Sequence, residues 1–241
     1  MIIANWKMNG SKEDVASWIK VVTTKVQFDN EKPCVFCPPS CYLDYSCLLI
    51  KETSSQILLG SQNINHTKGS ALTGGIDSKM LSEFLTKYVL IGHSEQREIF
   101  NENNEILHFK LSAALEEHIS PIFCVGEPLE VKQKGDTEKF LKNQLEALDG
   151  VDLNELIIAY EPIWAIGSGE NATKDYIEKI HAFIKEYCGN LNDDVKISVV
   201  YGGSVNSSNC EEIMSSFEVD GLLIGGASLD PENFSKIYNL S

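Results

Sequence analysis

Eight short apolar runs that alternate with helical segments restrict this chain to very few folds. The runs are rich in Val, Ile and Leu, and each is shorter than a typical buried helix. Unbroken apolar runs of this length are typical of strands that are buried on both faces, as they are in a parallel sheet. The eight candidate strands cover residues 2–5, 33–37, 57–61, 88–92, 121–125, 156–160, 196–201 and 219–224.

The segments between the candidate strands carry helix signals. Ser11 and Asp14 have the spacing of a capping pair, and Thr173 is placed to cap a later helix. Apolar residues follow each cap at helical spacing. They are Val15, Ile19, Val22 and Val26 in the first helix, and Ile177, Ile180 and Ile184 in the later one.

This alternation favours a closed (β/α)8 barrel (TIM barrel) of the α/β class, in one domain over residues 1–241. The length of 241 residues agrees with the roughly 250 residues that are usual for such barrels. No linker rich in Gly and Ser and no low-complexity segment divides the sequence. An open, doubly wound sheet is the alternative architecture.

The charge of the chain excludes some classes of partner. The sequence has 20 Lys and Arg against 35 Asp and Glu, which gives a net charge of −15. Nucleic acids and anionic membranes bind clustered cations, so we expect neither as a partner. No apolar run approaches the roughly 18 residues of a membrane span. No basic segment precedes the first apolar run, so we expect a cytoplasmic protein without a secretion signal.

The seven cysteines include Cys34 and Cys37, which have the Cys-x-x-Cys spacing of redox and zinc sites. Within a strand, however, an offset of three residues places two side chains on opposite faces of the sheet. The count of cysteines is odd, and no compact cluster of His, Cys and carboxylate residues occurs elsewhere. We therefore expect free thiols and no metal site.

A barrel of this kind carries its chemistry on the loops that follow its strands. The polar and glycine-rich clusters of this sequence all lie at the predicted carboxyl ends of strands. They are Asn5-Trp6-Lys7, His93-Ser94-Glu95, Glu161-Pro162, Gly202-Gly203-Ser204 and Gly225-Gly226. The sequence therefore predicts one active site that is assembled from distant segments.

Two glycine pairs predict a phosphate site. They follow the seventh and eighth strands, where barrels commonly bind phosphate through backbone N–H groups. Glycine also allows a ligand to approach the backbone closely. Loops contain glycine pairs for turns alone, and it is the position after the last two strands that favours phosphate here.

Glu161 is the candidate general base. It follows the apolar strand 156–160 and precedes Pro162, so its carboxylate is expected to be poorly solvated. A surface acid at a strand end is the alternative interpretation. The following residues 163–169 are apolar although they form a loop, which is typical of a lid that closes over a site and excludes water. We refer to residues 163–169 as the lid.

His93 and Lys7 are the other candidates for chemistry. His93 stands at the start of a predicted helix, whose N-terminus disfavours an imidazolium, so we expect a neutral ring that donates a hydrogen bond. Lys7 lies where the barrel interior opens, and its ammonium could stabilise developing negative charge. A lone histidine is more often structural and a lone lysine is more often solvated, but the strand-end positions favour catalysis for both.

Six long motifs follow one another along essentially the whole chain. They are Asn5-Trp6-Lys7-Met8-Asn9, Ile91-Gly92-His93-Ser94-Glu95, Cys124-Val125-Gly126-Glu127, Ala159-Tyr160-Glu161-Pro162-Ile163-Trp164-Ala165-Ile166-Gly167, Tyr201-Gly202-Gly203-Ser204-Val205 and Asp220-Gly221-Leu222-Leu223-Ile224-Gly225-Gly226-Ala227-Ser228. In order and spacing they resemble the triosephosphate isomerase family.

The resemblance implies interconversion of dihydroxyacetone phosphate and glyceraldehyde 3-phosphate, with no metal and no cofactor. It implies that Glu161 is the base, that neutral His93 is the electrophile, and that Asn5 and Lys7 stabilise the enediolate. A glutamate base, a neutral histidine and closure of a lid are established features of this family's mechanism.

The resemblance also assigns residues around these four. It implies that the phosphate is held by Gly167, Ser204, Gly225 and Gly226, and that Ile166 and Leu223 close over the base. Other residues are expected beside the site, the lid or the subunit contact. They are Glu95 near Lys7, Ser94, Trp164 and Tyr201 around the site and lid, and Thr73 at the tip of a loop that reaches the partner subunit of a homodimer.

The sequence departs from the family pattern at the subunit contact and in the lid. Gln96 and Gly75 stand where the family usually has an Arg and a Glu that pair across the dimer interface. Because both charges are missing, neither is left unpaired. We therefore expect a dimer held mainly by packing of the loop 65–75. The lid continues into Glu170-Asn171-Ala172, where the family more often has a Lys, so we expect different lid kinetics.

Two other functions are compatible with parts of the sequence. Another phosphate-binding barrel, such as a phosphoribosyl-type isomerase or synthase, would keep the glycine pairs but has no need for Lys7, His93 and Glu161 together. A catalytically idle barrel with a structural or adhesive role would need none of these groups. A coupled enzymatic assay separates the three functions.

Overall fold

The computed structural model describes residues 1–66, 71–166, 172–191 and 195–241. Its described residues form eight parallel strands that close into a barrel in sequence order. The strands are β1 (Ile2–Asn5), β2 (Cys34–Cys37), β3 (Leu58–Ser61), β4 (Tyr88–Ile91), β5 (Ser120–Val125), β6 (Glu155–Tyr160), β7 (Lys196–Tyr201) and β8 (Gly221–Ile224). The β1–β8 pairing closes the barrel, so the prediction of a (β/α)8 barrel is confirmed and the open sheet is excluded.

Helices cover the outside of the barrel. They are α1 (Lys12–Lys25), α2 (Leu43–Glu52), α3 (Ser78–Glu83), α4 (Ser94–Ile99), α5 (Asn104–Glu116), α6 (Leu129–Lys134), α7 (Thr137–Leu145), α8 (Lys174–Gly189), α9 (Cys210–Met214) and α10 (Pro231–Leu240). None of the helices in the described residues is both long and apolar enough to cross a bilayer.

The predicted helix caps are confirmed. Ser11 and Asp14 form a capping box at the start of α1, in which each side chain accepts from the backbone N–H of the other residue, at 3.2 and 2.8 Å. Thr173 caps α8 by accepting from the backbone N–H of Tyr176. Such caps satisfy N–H groups that have no partner inside the helix, and each is worth about 1 kcal/mol.

The strands have two buried faces, as their unbroken apolar runs predicted. Residues that point inward fill the barrel interior, whereas the alternate residues pack against the helices. Cys37 belongs to the interior and Cys34 to the outer layer, so the two thiols of the Cys-x-x-Cys sequence lie on opposite faces as predicted. All seven cysteines are free.

An aromatic cluster holds α1 against β1 and β2. Trp18 of α1 stacks on Phe36 of β2 at 4.3 Å between ring centroids, and the Trp6 ring stands edge-on to both. The Trp18 indole N–H donates to the backbone carbonyl of Ser228, so the cluster also ties the end of the chain to its beginning. Burying such a ring contributes about 2–3 kcal/mol, which fixes β1 below the residues that follow it.

The boundaries of β1 and β7 are those predicted from the sequence, and the other six strands differ from the prediction by one or two residues. The largest difference is at β8, which begins at Gly221 although the apolar run begins at Val219. Asp220 precedes the strand because its carboxylate accepts the backbone N–H of Val199 at 2.7 Å. At Gly221, an added Cβ would lie 2.0 Å from the carbonyl oxygen of Met1, so only glycine allows β1 and β8 to approach at this end.

Candidate active site

The polar clusters that follow the strands meet at the carboxyl end of the barrel. His93 Nε2 lies 3.2 Å from Glu161 Oε1, and the Lys7 ammonium lies 2.8 Å from Glu95 Oε1. An added Cβ at Gly225 would lie 3.7 Å from Lys7 Cε. Segments after β1, β4, β6 and β8 therefore surround one volume, as expected for a barrel with a single site.

Glu161 is buried at the end of β6, with an exposed fraction of 4%. Its backbone N–H donates to the carbonyl of Val125 at 2.8 Å, which ties the end of β6 to β5. An added Cβ at Gly126 would lie 1.7 Å from the Glu161 carbonyl oxygen, so this close approach needs glycine. Among the described residues, Glu161 Oε2 has no hydrogen-bond partner, and a carboxylate oxygen in this state is well placed to accept a proton.

The Cys124 thiol lies close to this carboxylate. Burial and the negative charge of Glu161 together hold the pKa of Cys124 well above its ordinary value. The thiol is therefore neutral, and it contributes packing rather than nucleophilic chemistry at this site.

His93 is the residue that caps α4. Its Nδ1 accepts the backbone N–H of Glu95 at 3.2 Å, so in a neutral ring the proton lies on Nε2, which faces Glu161. Burial disfavours the imidazolium, but the Glu161 carboxylate outweighs burial and raises the pKa of His93. Nε2 itself has no hydrogen bond of good geometry among the described residues. A neutral His93 therefore has the Nε2–H tautomer that a donor to the substrate needs. That the ring is neutral stays a prediction.

Lys7 adopts a left-handed backbone conformation, with φ of 51°, which costs about 1–2 kcal/mol in a residue with a side chain. Its backbone N–H donates to Asn5 Oδ1 at 3.1 Å. The Gln62 side chain donates to the carbonyls of Lys7 and Cys37 at 2.9 and 3.0 Å. These contacts hold the strained turn, so the ammonium projects toward the site and Glu95.

The Lys7–Glu95 contact affects the carboxyl group of Glu95. Burial raises the pKa of this group. The hydrogen bond from Lys7 and the charges of Lys7 and His93 lower it by a larger amount, so the net pKa lies below the ordinary value. Glu95 therefore stays ionised. Its carboxylate orients the Lys7 ammonium through their contact of 2.8 Å, and Glu95 lies beside Lys7 as predicted.

The glycine-rich loops lie where the phosphate site was predicted. An added Cβ at Gly202 would lie 2.8 Å from Glu161 Cγ and 3.4 Å from Leu223 Cδ2, so Leu223 lies beside the base. At Gly226, an added Cβ would have no heavy atom within 4 Å, so the backbone faces open space. Gly226 begins a short 3-10 helix, whose first N–H groups have no acceptor inside the helix.

The beginning of the lid is anchored to a buried carboxylate that sequence reasoning did not single out. Glu127 has no exposed surface, and it accepts hydrogen bonds from Trp164 Nε1 at 2.8 Å, from the Tyr176 hydroxyl at 2.9 Å and from the Tyr160 hydroxyl at 3.1 Å. The Lys132 ammonium lies 3.1 Å from the centroid of the Trp164 ring. Glu127 lies two residues beyond the end of β5, so its position close to a strand end was the available signal.

The remaining predicted residues fall into two groups. Ser94 begins α4 beside His93, Tyr201 ends β7 in the buried layer, Ser204 is half-buried after β7, and Ile166 is half-buried at the last described position of the lid. Gly167, the rest of the lid and residues 67–70 of the subunit-contact loop lie outside the described residues.

A cavity of about 270 Å³ opens beside Lys7, His93 and Glu95. It extends to Asn65 and Gly74, at the two ends of the loop predicted to reach a partner subunit. Thr73 is exposed on this loop, and its neighbour Leu72 and Met8, which follows Lys7, expose 52% and 95% of their surfaces. Gln96 Oε1 accepts from Asn63 at 2.9 Å, so its amide has a partner inside the subunit.

No group of three His, Cys, Asp or Glu side chains in the part of the chain that the structure describes is arranged to hold an ion. The site instead offers a buried carboxylate, an imidazole, an ammonium and open backbone amides.

These features define a (β/α)8-barrel protein with one polar site, which contains a buried carboxylate, at the carboxyl end of its strands. The family model described as triosephosphate isomerase matches residues 1–241. Curated proteins named triosephosphate isomerase are similar over nearly the whole chain. That of Aquifex aeolicus is 41% identical over 98% of this chain and 97% of its own, and that of Gloeothece citriformis is 38% identical over 99% and 98%. The chain belongs to the triosephosphate isomerase family, and it is an isomerase.

Proposed function

We propose that this isomerase interconverts dihydroxyacetone phosphate and D-glyceraldehyde 3-phosphate, in glycolysis and gluconeogenesis, without a cofactor. One observation carries the assignment of the site. Glu161 Oε2 and His93 Nε2 are both buried at the carboxyl end of the barrel; among the described residues Oε2 has no hydrogen-bond partner, and Nε2 faces Glu161 Oε1 at 3.2 Å without a hydrogen bond of good geometry. Because buried polar atoms are rarely left unpaired, a bound substrate is the natural partner of both.

In the proposed reaction, Glu161 removes a proton from the carbon next to the substrate carbonyl and returns it to the neighbouring carbon. The buried carboxylate is poorly solvated, so it need not shed a water shell before it accepts the proton. A positioned general base contributes about 10²–10⁴-fold to the rate. Glu161 acts from the end of β6, whose backbone contact with β5 fixes its position.

His93 and Lys7 stabilise the charge that this proton transfer creates on the substrate oxygens. The Nε2–H of a neutral His93 donates to the carbonyl oxygen as it becomes negative, and the Lys7 ammonium lies nearby with Asn5. An oriented donor of this kind contributes about 10²–10³-fold, more than it would in water. Glu95 keeps the ammonium in place through their 2.8 Å contact.

The phosphate group is proposed to bind to backbone N–H groups after β7 and β8. Ser204, Gly225 and Gly226 supply these groups, together with Gly167 of the lid. The open space at Gly226 and the nearby Lys7 ammonium support this assignment. Ile166 and Leu223 then cover the Glu161 carboxylate, which excludes water and keeps the enediolate from losing phosphate.

The chain is proposed to act as a homodimer in the cytoplasm, as one catalytic domain over residues 1–241, with no nucleic acid and no membrane as a partner. The cavity beside Lys7 and Glu95 extends to the loop that carries Thr73; Leu72 is exposed on the same loop, and the exposed Met8 directly follows Lys7. Apolar side chains exposed around a cavity at an active site are suited to packing against a second copy.

A coupled assay on the purified protein tests the proposed reaction. Glyceraldehyde 3-phosphate is supplied, and the dihydroxyacetone phosphate formed is reduced by an NADH-dependent dehydrogenase. We expect NADH consumption that depends on the protein and disappears in Glu161→Ala. A folded protein that converts neither triose phosphate into the other would overturn the proposal and leave a phosphoribosyl-type or idle barrel.

A further inference from the structure

The chain contains a single arginine. Of its 20 Lys and Arg residues, 19 are lysines and one is Arg97. Arg97 lies in α4, the helix that His93 caps. Arg97 does not serve as one half of an ion pair, since no carboxylate of the described residues lies within 4 Å of its guanidinium. Burial lowers the pKa of Arg97 to about 10, so the group is charged and largely removed from water.

The guanidinium contacts two backbone carbonyls instead. Arg97 Nε donates to the carbonyl of Gly92 at 2.8 Å, and Nη2 donates to the carbonyl of Cys124 at 3.0 Å. The planar group lies 5.3 Å from the centroid of the Phe123 ring, and its third nitrogen lies 3.4 Å from Asn104 Oδ1. One side chain thus connects the carboxyl end of β4 to that of β5 from behind the active site.

These two carbonyls belong to the segments that carry or contact the reacting pair. Gly92 directly precedes His93, and its φ of 74° makes the turn that aims the imidazole at Glu161. Cys124 precedes Val125, whose carbonyl accepts the backbone N–H of Glu161. A shift of either carbonyl would therefore change the position of His93 Nε2 relative to the Glu161 carboxylate.

Lysine cannot replace these contacts. Its ammonium is a compact point charge on a flexible stem, whereas the guanidinium holds its donors in one rigid plane that also stacks on a ring. The fit is close, since an added Cβ at Gly92 would lie 2.9 Å from Arg97 Nη2. In a chain that uses lysine at every other cationic position, the one arginine lies where planar, divergent hydrogen bonding is needed.

We propose that Arg97 is a positioning residue for the reaction: its guanidinium fixes the carbonyls of Gly92 and Cys124 and so sets the distance between His93 Nε2 and the Glu161 carboxylate. Arg97 acts through backbone and does not touch the substrate. This inference rests on the proposed function, since it concerns the efficiency of the same proton transfer.

Arg97→Lys tests the inference because it keeps the positive charge and removes only the planar group. We expect kcat to fall about 10²-fold, the usual cost of a displacement of about 1 Å at a reacting pair. KM should change less than about threefold, because the proposed phosphate site lies after β7 and β8. The primary isotope effect with substrate deuterated at the reacting carbon should rise, since proton transfer becomes the slow step.

Lys185→Gln is the control for the loss of two side-chain contacts of a cation at a place remote from the site. Lys185 pairs with Glu218 and Asp220 next to the amino end of β8, far from the reacting pair. We expect a lower midpoint of thermal unfolding with kcat and isotope effect unchanged. If Arg97→Lys does not fold, Phe123→Leu loosens the guanidinium while Arg97 remains, and kcat should fall about tenfold with a larger isotope effect.

The inference is overturned if folded Arg97→Lys keeps the wild-type kcat and isotope effect per folded molecule. If Arg97→Lys does not fold, the same result in folded Phe123→Leu overturns it. The wild-type protein is assayed in the same series. A wild type without isomerase activity would overturn the proposed function, whereas an active wild type with an equally active Arg97→Lys would overturn this inference alone.

Discussion

At the scale of single residues, the site depends on polar groups that are buried before a substrate arrives. Glu161 and His93 are each 4% exposed, and each has one atom without a partner among the described residues. An unpaired buried polar atom costs about 1–3 kcal/mol, so the empty site is less stable than a fully paired one. Substrate that supplies the missing partners recovers this free energy during binding and reaction.

Shortening the base should separate catalysis from binding. In Glu161→Asp the carboxylate withdraws by about 1 Å, which is expected to lower kcat by about 10²-fold or more, while KM stays within about threefold. Steady-state kinetics with Glu161→Gln as the variant that cannot accept the proton checks this. A proportional rise in KM with unchanged kcat would show that Glu161 binds substrate and does not transfer the proton.

His181 should make stability depend on pH. It is fully buried on α8, its Nδ1 lies 3.1 Å from the carbonyl of Glu218, and burial lowers its pKa from 6.5 to about 4. The unfolded chain binds the proton more readily, so stability is complete above about pH 6.5 and falls as pH drops toward 4. The loss is about 3 kcal/mol.

Urea unfolding at pH 7, 5.5 and 4 measures this loss. His181→Asn keeps a donor for the Glu218 carbonyl but cannot titrate, so the fall in unfolding free energy over this range should be about 3 kcal/mol smaller in the variant. An equal fall in both proteins would show that other groups account for the acid sensitivity.

At the scale of elements, the loops after the strands are held by side chains from other strands and helices. Gln62 supports the strained turn at Lys7 from 55 residues away, and Glu127 collects three donors from β6, the lid and α8. Each loop is thus positioned by contacts and not by its own backbone preference. This arrangement permits a polar, strained active end on a rigid barrel.

Tyr176 offers a test of this anchoring. Tyr176→Phe removes one donor to the buried Glu127 carboxylate, and a hydrogen bond to a charged group is worth about 1.5–3 kcal/mol. The free energy of unfolding in urea should fall by about 2 kcal/mol. Tyr187 lies on the same helix, and its ring contacts Phe183 and the Lys142 ammonium; Tyr187→Phe keeps this ring and should change the free energy of unfolding by less than about 0.5 kcal/mol. Equal effects would show that the Glu127 contact contributes little.

The strands and both helix caps could be predicted from the sequence, because they follow from apolar runs and local spacing. The strand-end positions of Glu161 and His93 made these two residues the candidates for the reacting pair. Glu161 and His93 could be located in this way without any contact. The support of Lys7 by Gln62 and of the lid by Glu127 could not be predicted, because each joins segments whose relative placement exists only in the closed barrel. The start of β8 was misplaced since Val219 is apolar but Asp220 bonds to β7.

At the scale of the whole molecule, one cavity lies beside the proposed catalytic residues and extends to the loop of the proposed subunit contact. Asn5, Lys7, His93 and Glu95 line the same cavity as Gln96. A partner loop that fills this space would limit water access to Lys7 and restrict its motion. The two uncharged residues Gln96 and Gly75 leave such a contact dependent on packing, without an ion pair across it.

The proposed dimer should dissociate with loss of activity. Over a dilution series from micromolar to low nanomolar concentration, the size-exclusion volume should move from dimer to monomer, and specific activity should fall over the same range. Salt should change the midpoint little, because no ion pair is expected between Gln96 and Gly75. A monomer with full specific activity would contradict the proposal that the second subunit completes the site.

The central claim is that one bound triose phosphate meets Glu161, His93 and Lys7 together. A crystal structure with a phosphate-bearing analogue of the enediolate tests it most directly. The account predicts Glu161 Oε2 and His93 Nε2 each about 3 Å from the carbon and oxygen atoms that react, with the phosphate on the backbone of Gly225 and Gly226. An analogue bound at another loop, or with Glu161 directed away from it, would contradict the account.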